Sequence, residues 1–163
     1  MIPATSPSAR RVQAVLGSRF TVLEFGSSTR TAADAAAAIG CSVAQIAKSL
    51  VFRTAASNRP VLVVACGANR VDEEQIAGLV GEPVARAGAE FVREATGFSI
   101  GGVPPVGHKT QPIVLIDEAL AGFAEIWAAA GTPNAVFKLT PADLVALTGG
   151  RVGRIARLDR GAP

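Results

Sequence analysis

The chain has 163 residues, enough for one domain to bury most of its apolar surface without disulfide or metal staples, and a single domain over residues 1–163 is expected. Hydrophobic residues make up 49% and charged residues 18%, which excludes a disordered or fibrous chain, while a net charge of +3 suits a polyanionic partner without identifying one. No apolar stretch approaches the ~18 residues of a membrane span, and the opening MIPATSPSARR lacks the apolar core of a secretion signal, so a cytoplasmic protein with no membrane partner is expected.

In chain order, residues 8–16 read as a short amphipathic helix, and 20–25 (FTVLEF) alternate as a half-buried strand does. The polar cluster Ser27, Ser28, Thr29, Arg30, Thr31 leads into an alanine-rich helix over 32–39, with hydroxyl residues to cap it and Gly40 to stop it. Ser42 begins a second short helix through residue 47. Two strands follow over 49–54 (SLVFRT) and 60–65 (PVLVVA), joined as a hairpin by a polar turn. Asp72 with Gln75 three residues on has the spacing of a capping box for a helix to about residue 80, and 89–96 supplies another helix.

Regular structure ends at residues 97–107, because GFSIGGVPPVG holds four glycines and two prolines. This segment reads as a shaped loop. A strongly apolar strand follows at 112–117 (PIVLID), then an ambiguous helix-or-strand stretch at 120–127, and a strand at 135–139. Thr140 with Asp143 caps a last helix to about 148. Residues 1–9 and 158–163 read as frayed ends. Helices and strands are mixed without a regular alternation, so the expected fold is an α/β protein of α+β type, a mixed sheet surrounded by helices.

The common hydrolytic sets are missing. The single histidine, His108, has no neighbours that suggest a metal site or a nucleophile elbow, so neither metal nor cofactor is expected. GFSIGG and CGANRV lack both the Walker and the dinucleotide-binding spacing. Cys41 and Cys66 are too far apart in sequence for a CxxC pair or a metal knuckle and read as buried thiols. Two features remain. Lys48 lies between apolar helix and strand positions, where it either snorkels to water or emerges at the lip of a cleft. Gly101 and Gly102, held extended by Pro104 and Pro105, form either a rigid turn or a place where backbone N–H groups meet a carbonyl or phosphate oxygen.

Taken together, the stretches TAADAAAAIGCSVAQIAKSLVF, VLVVACGANRVDEEQIAGLVG, TGFSIGGVPPVGH, IVLIDEALAGF and AGTPNAVFKLTPADL resemble the YbaK family, free-standing relatives of the editing domain of bacterial prolyl-tRNA synthetase. The likeness spans roughly residues 20–148. It implies a partly closed mixed sheet and hydrolysis, in trans, of the ester of mischarged tRNA carrying a small amino acid, with tRNA(Pro) the leading candidate. The implied partners are the aminoacylated CCA end and prolyl-tRNA synthetase. The family lysine falls on Lys48 and the glycine-rich catalytic loop on Gly101 and Gly102. Thr31, Ser49, Pro104, His108 and Asn134 fall at substrate-binding positions, with relatives differing around Asn134. Two other readings stand beside this one: a non-catalytic module that binds charged tRNA or a synthetase, and a hydrolase of another small ester.

Overall fold

The computed structural model describes residues 1–26, 29 and 31–158, and the expectations that rest on Ser27, Ser28, Arg30 and the last five residues lie outside that set. Its elements are strand β1 (Ile2–Pro3), helix α1 (Pro7–Leu16), β2 (Val22–Glu24), α2 (Ala32–Ile39), β3 (Ile46–Thr54), β4 (Pro60–Cys66), α3 (Glu73–Val80), β5 (Val84–Arg86), α4 (Ala89–Thr96), β6 (Ile113–Asp117), β7 (Ile126–Ala129), β8 (Ala135–Leu139), α5 (Pro141–Thr148) and β9 (Arg151–Gly153). Two 3-10 turns, Val43–Gln45 and Glu118–Gly122, complete the description. None of the described helices is long and apolar enough to cross a membrane.

The strands form one mixed sheet in the order β1-β2-β8-β7-β3-β4-β6-β9, with β5 attached to β3 outside that path. β3 pairs in parallel with β7, as do β4 with β6 and β6 with β9, and the other pairs are antiparallel. The mixed α/β architecture expected from the interspersed elements is therefore found.

β4 is the axis of the core, with every residue buried. Its side chains alternate between two faces: Leu62, Val64 and Cys66 join the larger apolar cluster, and Val61, Val63 and Ala65 join a second one around Phe52, Ile76 and Leu115. A strand covered on both faces needs an unbroken apolar run, which PVLVVAC supplies.

The caps follow the expected chemistry in most places. Thr31 accepts from Asp34 N–H and Gly40 ends α2 in the left-handed region, while Thr140 and Asp143 cap α5 reciprocally. At α3 only half of the capping box forms. Asp72 accepts from the Glu74 and Gln75 N–H groups, but the Gln75 side chain accepts from Arg154 instead, and Asp72 N–H donates to Ile155.

Three expectations are corrected. The helix expected from Ser42 through residue 47 is one 3-10 turn, and β3 begins already at Ile46 because its β-branched side chain packs with Ala35 and Ala36. The ambiguous stretch 120–127 divides into the end of a 3-10 turn capped by Asp117 and the start of β7. The first nine residues are not frayed. β1 pairs with β2, and the buried carboxylate of Glu24 accepts hydrogen bonds from Thr5 N–H (2.8 Å), Thr5 Oγ1 (2.7 Å), Ser6 N–H (2.9 Å) and Ser6 Oγ (3.1 Å). These donors hold the Glu24 pKa down at about 2.

Candidate active site

β3 carries two partners along one edge. β7 pairs with it only at Ile46 and Ala47, and β5 only from Phe52 to Thr54, so the paired registers leave residues 48–51 without a strand on that side. Even-numbered residues of β3 turn their backbone groups toward β4, as the bonds from Gly67 N–H to the Ile46 carbonyl and from Thr54 N–H to the Arg59 carbonyl show. Ser49 and Val51 therefore face the split, where Ala87 N–H reaches the Val51 carbonyl at 3.0 Å.

A cleft of about 620 Å³ opens at this split. Its floor is β3 from Ile46 to Val51. One wall is the first turn of α2 with Thr31, Ala32 and Ala35, and another is Trp127, Ala128 and Ala129 of β7. Arg86 and Ala87 at the end of β5, Ile100, Gly101 and Val103 of the glycine-rich loop, and Thr132 and Pro133 before β8 close the rim. Many of these side chains are alanine, so the walls are apolar and low, and the polar groups that enter are few.

Lys48 is one of them. Its side chain is part-buried, and Nζ donates to the Asn69 carbonyl at 2.7 Å. Burial lowers its pKa first of all, Arg86 and Arg70 lower it further, and Cys66 and Asp117 act in the opposite direction. Ser49 also lines the cleft, but its Oγ is shielded from solvent and has no hydrogen-bond partner among the described residues.

The glycine-rich loop is braced from behind. Arg11 of α1 donates to the Gly97 carbonyl at 2.7 Å and stacks its guanidinium 4.3 Å from the Phe98 ring centre. Gly101 sits at φ +93 with open space around its Cα, the left-handed backbone that glycine alone adopts freely. Gly102 is packed flat: a Cβ there would come within 2.7 Å of the Thr132 Cα. Gly102 N–H donates to Ser99 and its carbonyl accepts from Gly131, so of the two glycines it is Gly101 that lines the cleft.

The expected site residues thus separate into two groups. Thr31, Lys48, Ser49 and Gly101 line the cleft together. Gly102, Pro104, His108 and Asn134 do not line it but support its rim. The Pro104 carbonyl meets His108 Nε2 at 2.6 Å, which places the ring proton on Nε2 and leaves Nδ1 buried without a partner among the described residues. Burial lowers the His108 pKa, and the hydrogen bond to Pro104 opposes it. Asn134 Oδ1 accepts from Thr132 Oγ1 at 2.7 Å, and Nδ2 donates to the Phe25 carbonyl. Trp127 and Arg86 were not singled out by their sequence context, because β5 and β7 reach β3 only through long-range pairing, and Ile100 lies in the loop already marked by its glycines.

The model of the aminoacyl-tRNA editing domain matches residues 27–147. The uncharacterised protein YwhH of Bacillus subtilis (strain 168) is 37% identical over 123 residues, covering 76% of this chain and 78% of that one. A crystal structure described as a candidate trans-editing enzyme for prolyl tRNA synthetase superposes with a TM-score of 0.90 at 48% identity, over 95% of this chain and 100% of that one. A scaffold protein from work on epitope backbone grafting superposes with a TM-score of 0.89 at 43% identity, again over 95% and 100% of the two chains.

Proposed function

The chain belongs to the aminoacyl-tRNA editing domain family, and on that premise we propose that it is an aminoacyl-tRNA deacylase that hydrolyses, in trans, the ester of mischarged tRNA carrying a small amino acid. The observation that carries the reading is the cleft at the split of β3, which Lys48 and Gly101 both line among largely small apolar side chains. Its volume of about 620 Å³ is far larger than a small amino acid and suits an aminoacylated terminal nucleotide.

An aminoacyl ester is already activated, and its neighbouring hydroxyl can help orient water, so the protein has to position rather than supply a nucleophile. Attack by water places negative charge on the ester carbonyl oxygen. In this reading Lys48 stabilises that charge or a neighbouring phosphate, and a backbone N–H of the loop at Gly101 donates to the same oxygen. Thr31 offers a hydroxyl group on the wall of the same cleft, and Ser49 contributes to its floor. Gly102, Pro104, His108 and Asn134 act as substrate-site residues indirectly, by holding the loop and rim in shape. Discrimination rests on size, which rejects bulky side chains better than it separates small ones. The similarity to a structure described in connection with prolyl tRNA synthetase makes tRNA(Pro) the first acceptor to test and that synthetase the first partner.

The decisive experiment incubates the protein with alanyl-, cysteinyl-, seryl- and prolyl-tRNA(Pro) and follows ester loss. Accelerated loss from the small mischarged species is expected. Tight binding with no loss above the buffer rate would instead favour a non-catalytic tRNA-binding module.

A further inference from the structure

The turn after β4 is tied to three parts of the fold. Asn69 N–H donates back to the Cys66 carbonyl at 2.9 Å, and Gly67 N–H donates to the Ile46 carbonyl at 2.7 Å. A Cβ on Gly67 would lie 2.3 Å from the Val43 carbonyl oxygen, so the turn is pressed against the start of β3. From the other side it is held by Asp117, the last residue of β6. Asp117 Oδ2 accepts from Cys66 N–H at 3.0 Å and from Asn69 Nδ2 at 2.9 Å, and Oδ1 accepts from Ala119 N–H at 3.0 Å.

Asp117 is only 1% exposed, and neither of the ion pairs found among the described residues involves it. A carboxylate taken out of water is costly unless its lone pairs are filled. Here three N–H donors satisfy both oxygens, and the chain of bonds continues to the edge of the cleft. Asp117 fixes the Asn69 side chain, Asn69 fixes its own carbonyl, and that carbonyl receives the Lys48 ammonium at 2.7 Å. An ammonium has three N–H donors, so one is committed to the turn and two remain for a ligand in the cleft.

Resting on the deacylase reading of the cleft, we propose that Asp117 and Asn69 are positioning residues that hold the Lys48 ammonium where the ester oxygen or phosphate arrives. Neither lines the cleft. A lysine on a free four-carbon stem samples many rotamers, and the carbonyl of a braced turn selects one. Besides burial, which disfavours its charge most, four groups bear on the same ammonium: Cys66 and Asp117 favour its charged form, whereas Arg86 from β5 and Arg70 from the turn disfavour it. Removing the carboxylate charge therefore lowers the Lys48 pKa while leaving the cleft walls in place.

The test uses Asn69→Ala and Asp117→Asn in the full chain, with two readouts. One is the titration of Lys48 followed by NMR on lysine-labelled protein, the resonance assigned through Lys48→Arg. The other is deacylation kinetics. We expect the Lys48 titration midpoint to fall in Asp117→Asn relative to the wild-type chain. In Asn69→Ala we expect kcat to drop roughly tenfold with KM within about twofold. Unchanged Lys48 titration in Asp117→Asn together with unchanged kcat in Asn69→Ala overturns the proposal. Should Asp117→Asn fail to fold, the partly exposed Asn69 site carries the test, and a Lys48 resonance and kcat both identical to wild type overturn it. The titration needs no substrate, so a chain that deacylates nothing but shows the Lys48 shift defeats the functional reading and leaves the positioning role standing.

Discussion

Glu24 and Asp117 are both carboxylates withdrawn from water, 6% and 1% exposed, and both are satisfied by hydrogen-bond donors, neither being in an ion pair among the described residues. They differ in where the chain of bonds leads. From Glu24 it runs to Thr5 and Ser6 and ends at the N-cap of α1, inside the scaffold. From Asp117 it runs through Asn69 to Lys48 and ends at the cleft. The same local chemistry fixes backbone in both regions. At a chain end the result is stability, and beside a cleft it is the placement of a charge.

The largest effect should come at the cleft end. Lys48→Ala is expected to lower single-turnover deacylation by on the order of 100-fold or more with the fold intact, and Lys48→Arg to recover only part of it. Turnover within a few fold of wild type for Lys48→Ala would return the residue to a snorkelling role and dissolve the comparison. Next is the scaffold end. Glu24→Gln should cost about 2 kcal/mol of stability in denaturant titrations at neutral pH, through lost charge-assisted hydrogen bonds, and leave deacylation unchanged. Because Glu24 has its pKa depressed from 4.5 to about 2, its contribution is complete above about 4.5 and is lost as pH falls toward 2. The variant should therefore show a flatter acid limb than wild type. A drop in turnover at unchanged stability would show that the two regions are not separable.

A smaller effect is expected at His108, which is held neutral. Its folded pKa lies below the ordinary 6.5, so its contribution is present above that value and declines as pH falls below it. Replacing it by Ala should cost about 1 kcal/mol and remove that acid sensitivity, measured as melting temperature against pH. Smallest of all are Cys41→Ala and Cys66→Ala, for which deacylation should stay within about twofold. Burial pushes the Cys41 thiol up, away from the reactive thiolate, and Cys66 donates Sγ–H to the Ala44 carbonyl. Loss of turnover in a folded cysteine variant would require a covalent mechanism.

Elements with their own local signals were legible in sequence. The α2 run ends at Gly40, the hairpin of β3 and β4 is marked by two apolar runs around a polar turn, and Thr140 with Asp143 announces α5. The short strands were not. β1, β5 and β9 have two or three residues each and exist only through partners distant in the chain, Glu24, Arg53 and Ile116 among them. The same limit applied to the site. Lys48 and Gly101 could be singled out because a lysine in an apolar run and paired glycines are locally anomalous. Asp117 at the end of a strand and Asn69 in a turn are locally ordinary, and only the three-dimensional contact joins them to Lys48.

The open stretch of β3 also bears on edge-to-edge pairing between copies of the chain. An unpaired strand edge is a template on which a foreign strand can build, and long ones invite association between copies. The outer rims of this sheet offer little purchase: β1 is two residues with Pro3, which lacks an N–H, and β9 is three residues ending in glycine. The longer open edge at 48–51 lies on the floor of a cleft, between β7 and β5 and beside the loop at Gly101, so a strand from another copy would have to displace those walls to pair with it.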